Sequence, residues 1–406
     1  MVSAVFALST AVCIGLIISL SKYYQHPPAS LLERNLTCEA KPSLCSFSDE
    51  RAPDQPNRSG RWRKASLQPY FMDELTVQFK RWQYVGFSND QFFVGAAFVR
   101  FSYISDVFLY LVDRHSKQVF TYTGRLPFGI GITSMSSTLK GCTKWGTSSS
   151  DVLNATRDFM ELCAREGGGF RFRANLPVSN SRALKQLKLE VVLHSGDDLV
   201  VVYPANGDEG QLIYNNKLAG MPLSKLSFIN LDGESHLLVN AAGAIDWTKG
   251  RLPYRTFWRW VSFNHASVTV QRDQIQSQEI FGINLSEEIY DVLSSSGEVL
   301  SMENAIWLNG RVYPLTGQVQ IHVPERPLEE EWTIKSLNPS RYENITLTFK
   351  PWGAREDHTN FVVILSDFIQ PYGEFTGTIL IEENIFIKLS KDTKAFGVVE
   401  NHMAYW

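Results

Sequence analysis

Hydrophobic and polar residues alternate along most of the chain, the pattern of β-strands with one buried and one exposed face. In the segment 187–194, leucines and a valine occupy every second position, and Lys188, Glu190 and His194 occupy positions between or after them. Comparable alternation recurs in several segments: 75–85, 91–103, 107–112, 199–203, 319–323, 347–349, 361–365 and 379–389. The body of the protein is therefore predicted to be mostly antiparallel β-sheet.

One segment has helical spacing instead. Between Asp151 and Ala164, residues 153, 156, 159, 160 and 163 recur every three or four positions, Asp151 can cap the start, and three glycines follow at 167–169. This predicts one short helix inserted between strands. Because so many open sheet edges would favour aggregation, the strands are expected to close into two lipocalin-like (calycin-like) antiparallel barrels.

The first 24 residues differ from the rest. The segment from Val2 to Leu20 contains no charged side chain. A helix of this length can cross ~30 Å of hydrocarbon. Ser19 and Ser21 form a site where signal peptidase could cut, but no Lys or Arg precedes the apolar run, so an uncleaved anchor is favoured.

These patterns divide the chain into four parts. Residues 1–24 form a transmembrane signal-anchor, and 25–68 form a stalk rich in Pro, Ser and Arg. An N-terminal barrel domain follows over 69–232 and a C-terminal barrel domain over 233–406, divided at the turn sequence Asn230–Gly233.

Composition narrows the possible partners. The 406 residues include 39 Lys and Arg against 42 Asp and Glu, a net charge of -3, and 44% of residues are hydrophobic. Such a chain is globular, and it lacks the basic surface that binding to a phosphate backbone requires. Nucleic acid is therefore excluded as an expected partner.

The side of the membrane is indicated by two conflicting signals. Lys22 and Arg34 after the apolar run favour a cytosolic body by the positive-inside tendency. Asn-x-Ser/Thr acceptors, more numerous than chance gives, favour a lumenal or extracellular body in the secretory pathway; they are Asn35, Asn57, Asn154, Asn284 and Asn344.

The cysteines support the second alternative. Cys13 lies in the apolar run, which leaves Cys38, Cys45, Cys142 and Cys163 in the body. Four cysteines allow three pairings, and proximity in sequence favours Cys38 with Cys45 and Cys142 with Cys163. The alternative is four free buried thiols in a cytosolic protein.

Common catalytic motifs are absent from the sequence. It contains no G-x-S-x-G, H-E-x-x-H, C-x-x-C or Walker sequence, and its eight histidines show no metal-ligand spacing. Neither a cofactor nor a metal site is therefore predicted.

The segment Gly243–Val270 is unusually rich in tryptophan. Alternation within it places Trp258 and Trp260 on one face of a strand. An aromatic wall with few charges is typical of a pocket for an apolar ligand, in which Asp246 or His265 would act as acid or base and Trp247 and Arg255 would contact the ligand. The alternative is a structural Trp-rich core in which Asp246 and Arg255 form an ion pair.

Two further clusters contain carboxylates beside turns. Glu303 leads directly into an apolar strand, where an acidic side chain is costly to bury without a role. Asp367 lies with Gln370 and Glu374 near glycines, where carboxylates more often cap turns. Glu303 is therefore a candidate catalytic residue, and Asp367 a candidate ligand contact.

The order of these residues resembles the uncharacterised domain-of-unknown-function family numbered 2804, over about 330 residues. The resemblance is carried by Lys80-Arg81-Trp82, Tyr84, Gly86, Tyr103, Asp113, Asp246-Trp247-Thr248, Gly250, Arg255, Trp258, Trp260, Gly282-Ile283-Asn284, Glu303-Asn304, Gly310, Trp332, Phe349, Pro351, Ser366-Asp367-Phe368, Gln370, Gly373, Phe375, Gly377, Gly397, Glu400 and Trp406. If Asn284 belongs to this core, its acceptor sequence is buried, which leaves Asn35, Asn57, Asn154 and Asn344 as glycosylation sites.

More distantly, the Asp followed by a Trp-rich strand is similar to the carotenoid hydratase and tocopherol cyclase group, whose members have paired lipocalin-like barrels. That similarity implies an apolar, lipid or isoprenoid-like ligand, and a buried carboxyl group that protonates a double bond. Asp246 would be that group.

Three functions are thus open. The first is a membrane-tethered lipocalin-like protein that binds a hydrophobic small molecule, and the second is a hydratase or cyclase-type enzyme that acts on such a molecule by acid catalysis. The third is an interaction or scaffolding role. An interior cavity would distinguish the first two from the third.

Overall fold

The computed structural model describes residue 34 and residues 36–53, 59–66, 78–134, 140–147, 149–180, 182–208, 210–361 and 364–405. The predicted membrane segment, Asn35 and Asn57 lie outside these residues. Within the described part of the chain, no helix is both long and apolar enough to cross a membrane.

The described chain is nearly all β, as the alternation predicts. A first sheet contains β1 (Ser48–Arg51), β2 (Gly60–Lys64), β3 (Phe79–Ser88), β4 (Phe92–Phe101), β5 (Ile104–Asp113), β6 (Gln118–Pro127), β7 (Ile132–Thr133), β8 (Cys142–Gly146), β9 (Phe159–Ala164), β10 (Phe170–Ser179), β11 (Leu184–Leu193), β12 (Leu199–Pro204), β13 (Leu212–Pro222), β14 (Phe228–Leu231), β15 (Glu234–Leu237) and β16 (Ala242–Arg251).

The second sheet is formed by the rest of the chain. It contains β17 (Arg255–Arg272), β18 (Ile275–Glu287), β21 (Ala305–Leu308), β22 (Arg311–Pro314), β23 (Val319–His322), β24 (Trp332–Ser336), β25 (Glu343–Phe361), β26 (Ile364–Ile381), β27 (Ile385–Leu389) and β28 (Ala395–Tyr405). A separate hairpin joins β19 (Asp291–Leu293) to β20 (Val299–Ser301).

Each sheet curls around a core of its own. In the first sheet, Phe87 of β3 contacts Phe172 of β10, four strands away along the sheet order, with ring centroids 6.4 Å apart. In the second, the Ile321 N–H of β23 donates to the Glu287 carboxylate of β18 at 2.9 Å. Both cores are filled by aliphatic and aromatic side chains.

The two sheets pack against each other through their outer faces. Strand β4 is buried on both sides because Val94 and Phe98 point into the first core while Phe93 and Ala97 point toward the second sheet. Strand β17 shows the same division, with Val261 in the second core and Trp260 at the interface. Large apolar side chains on both faces of a strand therefore indicate a strand that lies between the two sheets.

Several boundaries differ from the prediction. Part of the predicted stalk joins the first sheet, because β2 pairs with β12 and Trp62 is buried against it. The chain passes to the second sheet between Arg251 and Arg255 and not between residues 232 and 233, because β15 and β16 pair with strands of the first sheet.

The predicted helix over 151–164 is wrong. Residues 159–164 form β9, which pairs with β8 on one side and β10 on the other, so its backbone hydrogen bonds are satisfied by the sheet. Asp151 accepts the N–H of Leu153 at 2.9 Å, which makes a local turn and not a helix cap. The only α-helix among the described residues is α1 (Pro42–Cys45).

Both predicted disulfide pairings are confirmed. Cys38 is bonded to Cys45 across α1, and Cys142 is bonded to Cys163 across the β8–β9 pair. The second bond joins residues directly opposite each other on adjacent strands.

Candidate ligand-binding site

A cavity of about 400 Å³ lies between the two sheets. Its first wall comes from β3, β4, β5, β6, β13 and β16, and its second from β17, β18, β25, β26, β28 and the segment 289–303. The prediction placed such a hollow inside a barrel, but the interiors of the curled sheets are occupied by side chains. The cavity lies instead where the outer faces of the two sheets meet.

Tryptophans from both sheets line the wall. Trp82 of β3 stacks on Trp258 of β17, with ring centroids 5.9 Å apart and planes 11° from parallel. Tyr84 meets Trp260 edge to face at 5.3 Å. Because these rings alternate with core residues along their strands, the period-two pattern fixes which face they occupy.

The floor of the cavity carries a buried ion cluster. Lys217 Nζ lies 2.7 Å from Asp246 Oδ2 and 2.6 Å from Glu303 Oε1. Burial opposes the charge on Lys217, but attraction to Asp246 and Glu303 outweighs it and raises the lysine pKa. Burial raises the pKa of Glu303, and the lysine works against that rise. Lys217 is therefore held as an ammonium ion between two acidic groups.

A third carboxyl group, Glu400 of β28, lines the same floor. The Trp258 Nε1–H donates to its Oε1 at 2.6 Å, and the Gln370 amide donates to its Oε2 at 2.7 Å. Burial raises the pKa of Glu400 to about 7 despite both hydrogen bonds, and the nearby charge of Asp246 adds to the rise. Glu400 can therefore both give and take a proton near neutral pH.

A chain of hydrogen bonds supports Glu400 from behind. The Tyr110 hydroxyl of β5 donates to Gln370 Oε1 at 2.7 Å, so the amide of Gln370 is oriented with its N–H toward Glu400. Burial raises the pKa of Tyr110 well above its usual value, which keeps the phenol protonated. The carboxyl is thus positioned by residues from both sheets.

The rim of the cavity is more polar. Arg125 of β6 bridges Asp106 at 2.6 Å and Asp357 at 2.5 Å, so it joins β5 of the first sheet to β25 of the second. His402 Nε2 lies 2.9 Å from Ser366 Oγ, and burial lowers the pKa of the imidazole to about 3, so the ring is neutral.

The structure brings together four of the eight predicted catalytic and ligand-contact residues. Asp246, Glu303, Trp258 and Trp260 all line the cavity. Asp246 lies on the first sheet and Trp258 and Trp260 lie on the second, so the approach of the two sheets brings these residues together.

The other four lie elsewhere. Trp247 points to the opposite face of β16, where it packs on Tyr214 with ring centroids 5.7 Å apart. His265 bonds to the backbone N–H of Ser267 at 3.1 Å. Arg255 lies over the Tyr405 ring, and Asp367 is exposed and 2.7 Å from His358.

The alternative prediction of a structural ion pair between Asp246 and Arg255 is wrong, because the ionic partner of Asp246 is Lys217. The sequence contains a signal for Lys217, because it is a lone cation in a strand that is buried almost throughout. Glu400 has the same signal, since it follows two valines in the buried strand β28.

The predicted glycosylation sites also separate by exposure. Asn154 and Asn344 are exposed. Asn284 is 3% exposed, accepts the Trp260 Nε1–H at 2.7 Å and donates to the Glu303 carbonyl, so its acceptor sequence is buried as the resemblance implies.

Comparisons of the chain with known proteins identify its family. No curated protein matches the chain. Two solved structures, titled as the crystal structures of CghA and of CghA with Sch210972, each share 8% identity over 80% of this chain and 87% of the other, with TM-scores of 0.38 and 0.37. The similarity to the hydratase and cyclase group is not confirmed. The family described as Domain of unknown function (DUF2804) matches residues 56–406, and the chain belongs to that family.

Proposed function

We propose that this protein binds a hydrophobic small molecule in the cavity between its two sheets. The observation that supports this is a space of about 400 Å³ walled by aromatic side chains, between two sheets whose cores are packed with aliphatic and aromatic side chains. Pockets of about 300 to 1,000 Å³ with apolar walls and a few convergent polar groups are typical of ligand sites.

Co-purification tests this proposal. The full-length protein is extracted after purification, and the extract is analysed by mass spectrometry for an enriched apolar compound. Ala97→Phe should reduce the bound compound several-fold because Ala97 lines the cavity, while Thr121→Phe on an exposed strand position should not. Circular dichroism checks that both variants fold. No enriched compound in the wild-type protein would count against the proposal.

A second candidate function is acid catalysis on the same ligand. It is favoured by Glu400, which lines the cavity and whose pKa burial raises to about 7. It is also favoured by the neighbouring cluster of Lys217, Asp246 and Glu303. A carboxyl group that is protonated at neutral pH can donate to a double bond, and a neighbouring carboxylate can stabilise the positive charge that develops.

Isotope incorporation tests the catalytic candidate. The compound identified by co-purification is incubated with protein in deuterated water, and its mass is followed. Asp246→Asn and Glu400→Gln should each abolish deuterium uptake at concentrations of the compound that saturate the variant. Uptake that persists in both variants would exclude these carboxyl groups as proton donors.

We also propose that the body is lumenal or extracellular and attached to the membrane through residues 1–24. Two disulfides support an oxidising compartment. Treatment with a glycosidase should shift the protein on a gel, and site mapping should find glycans at Asn154 and Asn344 and none at Asn284. An unmodified protein from eukaryotic cells would argue for a cytosolic body.

The lipocalin-like description belongs to the proposal as well. It is supported by the way each sheet encloses one core, and in the first sheet by the bridge between Leu193 and Leu223, which brings β11 next to the end of β13. An experimental structure in which the sheets lie flat would contradict it.

A further inference from the structure

The aromatic wall of the cavity has an electrostatic preference of its own. Nine of the lining residues are Trp, Tyr or Phe, among them Trp82, Phe108 and Trp258. The face of an aromatic ring carries negative partial charge, so it attracts cations. The protein already uses this attraction, since the Arg355 guanidinium lies over the Phe108 ring at 4.0 Å.

The charged groups of the cavity are unevenly distributed. At the rim, Arg125 and Arg355 are matched by Asp106 and Asp357. On the floor, three carboxyl groups face the single ammonium of Lys217, and its ion pairs are with Asp246 and Glu303. Among the described residues, Glu400 is therefore the acid of the floor that forms no ion pair of its own.

The hydrogen bonds of Glu400 leave capacity for a ligand. Its described donors are the indole of Trp258 and the amide of Gln370, one on each oxygen, and both donors are neutral. A carboxylate offers about four acceptor positions. Because an unmatched charge is costly in a buried site, a cation delivered by the ligand would stabilise the ionised form of Glu400.

Two independent features thus favour the same kind of guest. We propose that the ligand is a hydrophobic amine or quaternary ammonium compound, with its positively charged nitrogen beside Glu400 and the Trp82–Trp258 wall and its apolar body against the remaining rings. This rests on the proposed function, because it names the class of compound that the same cavity binds. An anionic lipid is disfavoured by both features.

The experiment compares two probes of equal shape. Benzyltrimethylammonium and neopentylbenzene differ by replacement of a charged nitrogen with carbon, and binding to the full-length protein is measured by quenching of tryptophan fluorescence. At pH 8 the cation should bind about tenfold more tightly, equivalent to ~1.4 kcal/mol. At pH 6 this advantage should fall several-fold, because Glu400, whose pKa is about 7, becomes protonated.

The variants identify the group responsible. Glu400→Gln should remove most of the advantage of the cation and leave the affinity for the neutral probe unchanged. The Gln370 amide can turn over and keep its hydrogen bonds to residues 110 and 400, so the variant is expected to fold. Glu343→Gln is the matched control, since Glu343 also accepts two hydrogen bonds from neutral donors but lies outside the cavity.

Other ionisable groups around Glu400 must be considered in the pH comparison. They are Asp246 of β16, Lys217 of β13, Glu303 before β21, Tyr84 of β3, Tyr110 of β5 and His402 of β28. A pH effect that persists in Glu400→Gln would assign the preference to one of them and overturn the role of Glu400.

Each outcome separates the two proposals. Equal binding of both probes by the wild-type protein would overturn the cationic ligand and leave the cavity as a binding site. Binding of neither probe would remove the proposed function and the cationic ligand with it. If Glu400→Gln does not fold, the test is the ratio of the two affinities in the wild-type protein. A ratio that is the same at pH 6 and pH 8 would overturn the role of Glu400.

Discussion

Lys217 is the residue on which the floor of the cavity depends. Its side chain is 5% exposed, and the side chains of Asp246 and Glu303 are 12% and 3% exposed. Two acidic groups this close would repel each other in a buried site, and the ammonium between them offsets the repulsion. The cluster is therefore a single unit in which the loss of one member leaves the others unbalanced.

Lys217→Met should destabilise the protein by about 3 to 5 kcal/mol, since it leaves two buried carboxyl groups without their cation. Urea unfolding followed by tryptophan fluorescence measures this loss. Lys217→Met combined with Glu303→Gln should recover part of it, because a single buried acid is cheaper than two. A single variant as stable as the wild type would show that the cluster is solvated.

Glu400 predicts a specific pH dependence of stability. Burial raises its pKa in the folded protein to about 7, above the ordinary value of 4.5, so between those values the folded state holds a proton that the unfolded state has lost. Its contribution to the free energy of unfolding is therefore greatest below pH 4.5 and declines as pH rises to 7, by roughly 3 kcal/mol.

Glu400→Gln should abolish this decline, and the difference between wild type and variant isolates it from other groups. His402 acts in the opposite direction, because burial lowers its pKa to about 3 and its contribution is lost as pH falls below 6.5. Unfolding in urea at pH 5, 6 and 7 measures both curves. Parallel curves would mean that Glu400 titrates normally.

The sequence predicts part of this site. Trp258 and Trp260 share a face by alternation. Asp246 attracts attention because it lies in a Trp-rich segment, and Glu303 because it leads directly into an apolar strand. Lys217 and Glu400 carry the same signal, but their meaning depends on partners that are distant in sequence. Lys217 is 86 positions from Glu303, a pairing that only the approach of the two sheets creates.

At the scale of the element, β9 shows where a pattern is ambiguous. Phe159, Met160 and Cys163 fit a helical stripe, yet Met160 and Leu162 also alternate, and they point into the first core. Pairing with β8 and β10 on both sides decides for the strand. Short apolar runs do not distinguish the two structures by periodicity alone.

The Cys142–Cys163 disulfide fastens this same pair of strands. It closes a loop with a sequence separation of 21, against 7 for Cys38–Cys45. Replacing both Cys142 and Cys163 with Ser should lower the free energy of unfolding by about 3 kcal/mol, and the same change at Cys38 and Cys45 by about 2 kcal/mol.

Denaturant unfolding of the two double variants without reductant measures these losses. The larger loss should belong to the longer loop because the bond restricts more of the unfolded chain. An equal or reversed order would mean that strain in the folded state, and not loop length, sets the contribution.

At the scale of the whole molecule, the site exists because two curled sheets meet. Strand alternation predicts the sheets, and bulk on both faces of β4 and β17 marks the strands that lie between them. Alternation does not predict how the outer faces of the two sheets approach each other. For this reason the sequence predicts the cavity within a barrel and not between the sheets. That approach is set by backbone contacts that leave no trace in hydrophobic periodicity.

Gly220 and Gly282 form one of these contacts. The Gly220 amide donates to Asn264 Oδ1 at 2.7 Å and thereby joins β13 to β17. A Cβ atom at Gly282 of β18 would lie 2.0 Å from the Gly220 nitrogen, so the backbone of β13 leaves no room for a side chain at Gly282. Gly282→Ala should force the sheets apart, destabilise the protein by ~3 kcal/mol or more and weaken binding of the cavity probes.

Gly210→Ala is the control, since the atoms nearest its Cβ belong to the flexible Asp208 side chain at 3.1 Å or more. It should leave the unfolding free energy within ~0.5 kcal/mol of the wild type and probe binding unchanged. Thermal unfolding and fluorescence quenching by benzyltrimethylammonium measure both properties on the same samples. If Gly282→Ala unfolds and binds like Gly210→Ala, the two sheets have freedom to separate, and the cavity does not depend on their close approach.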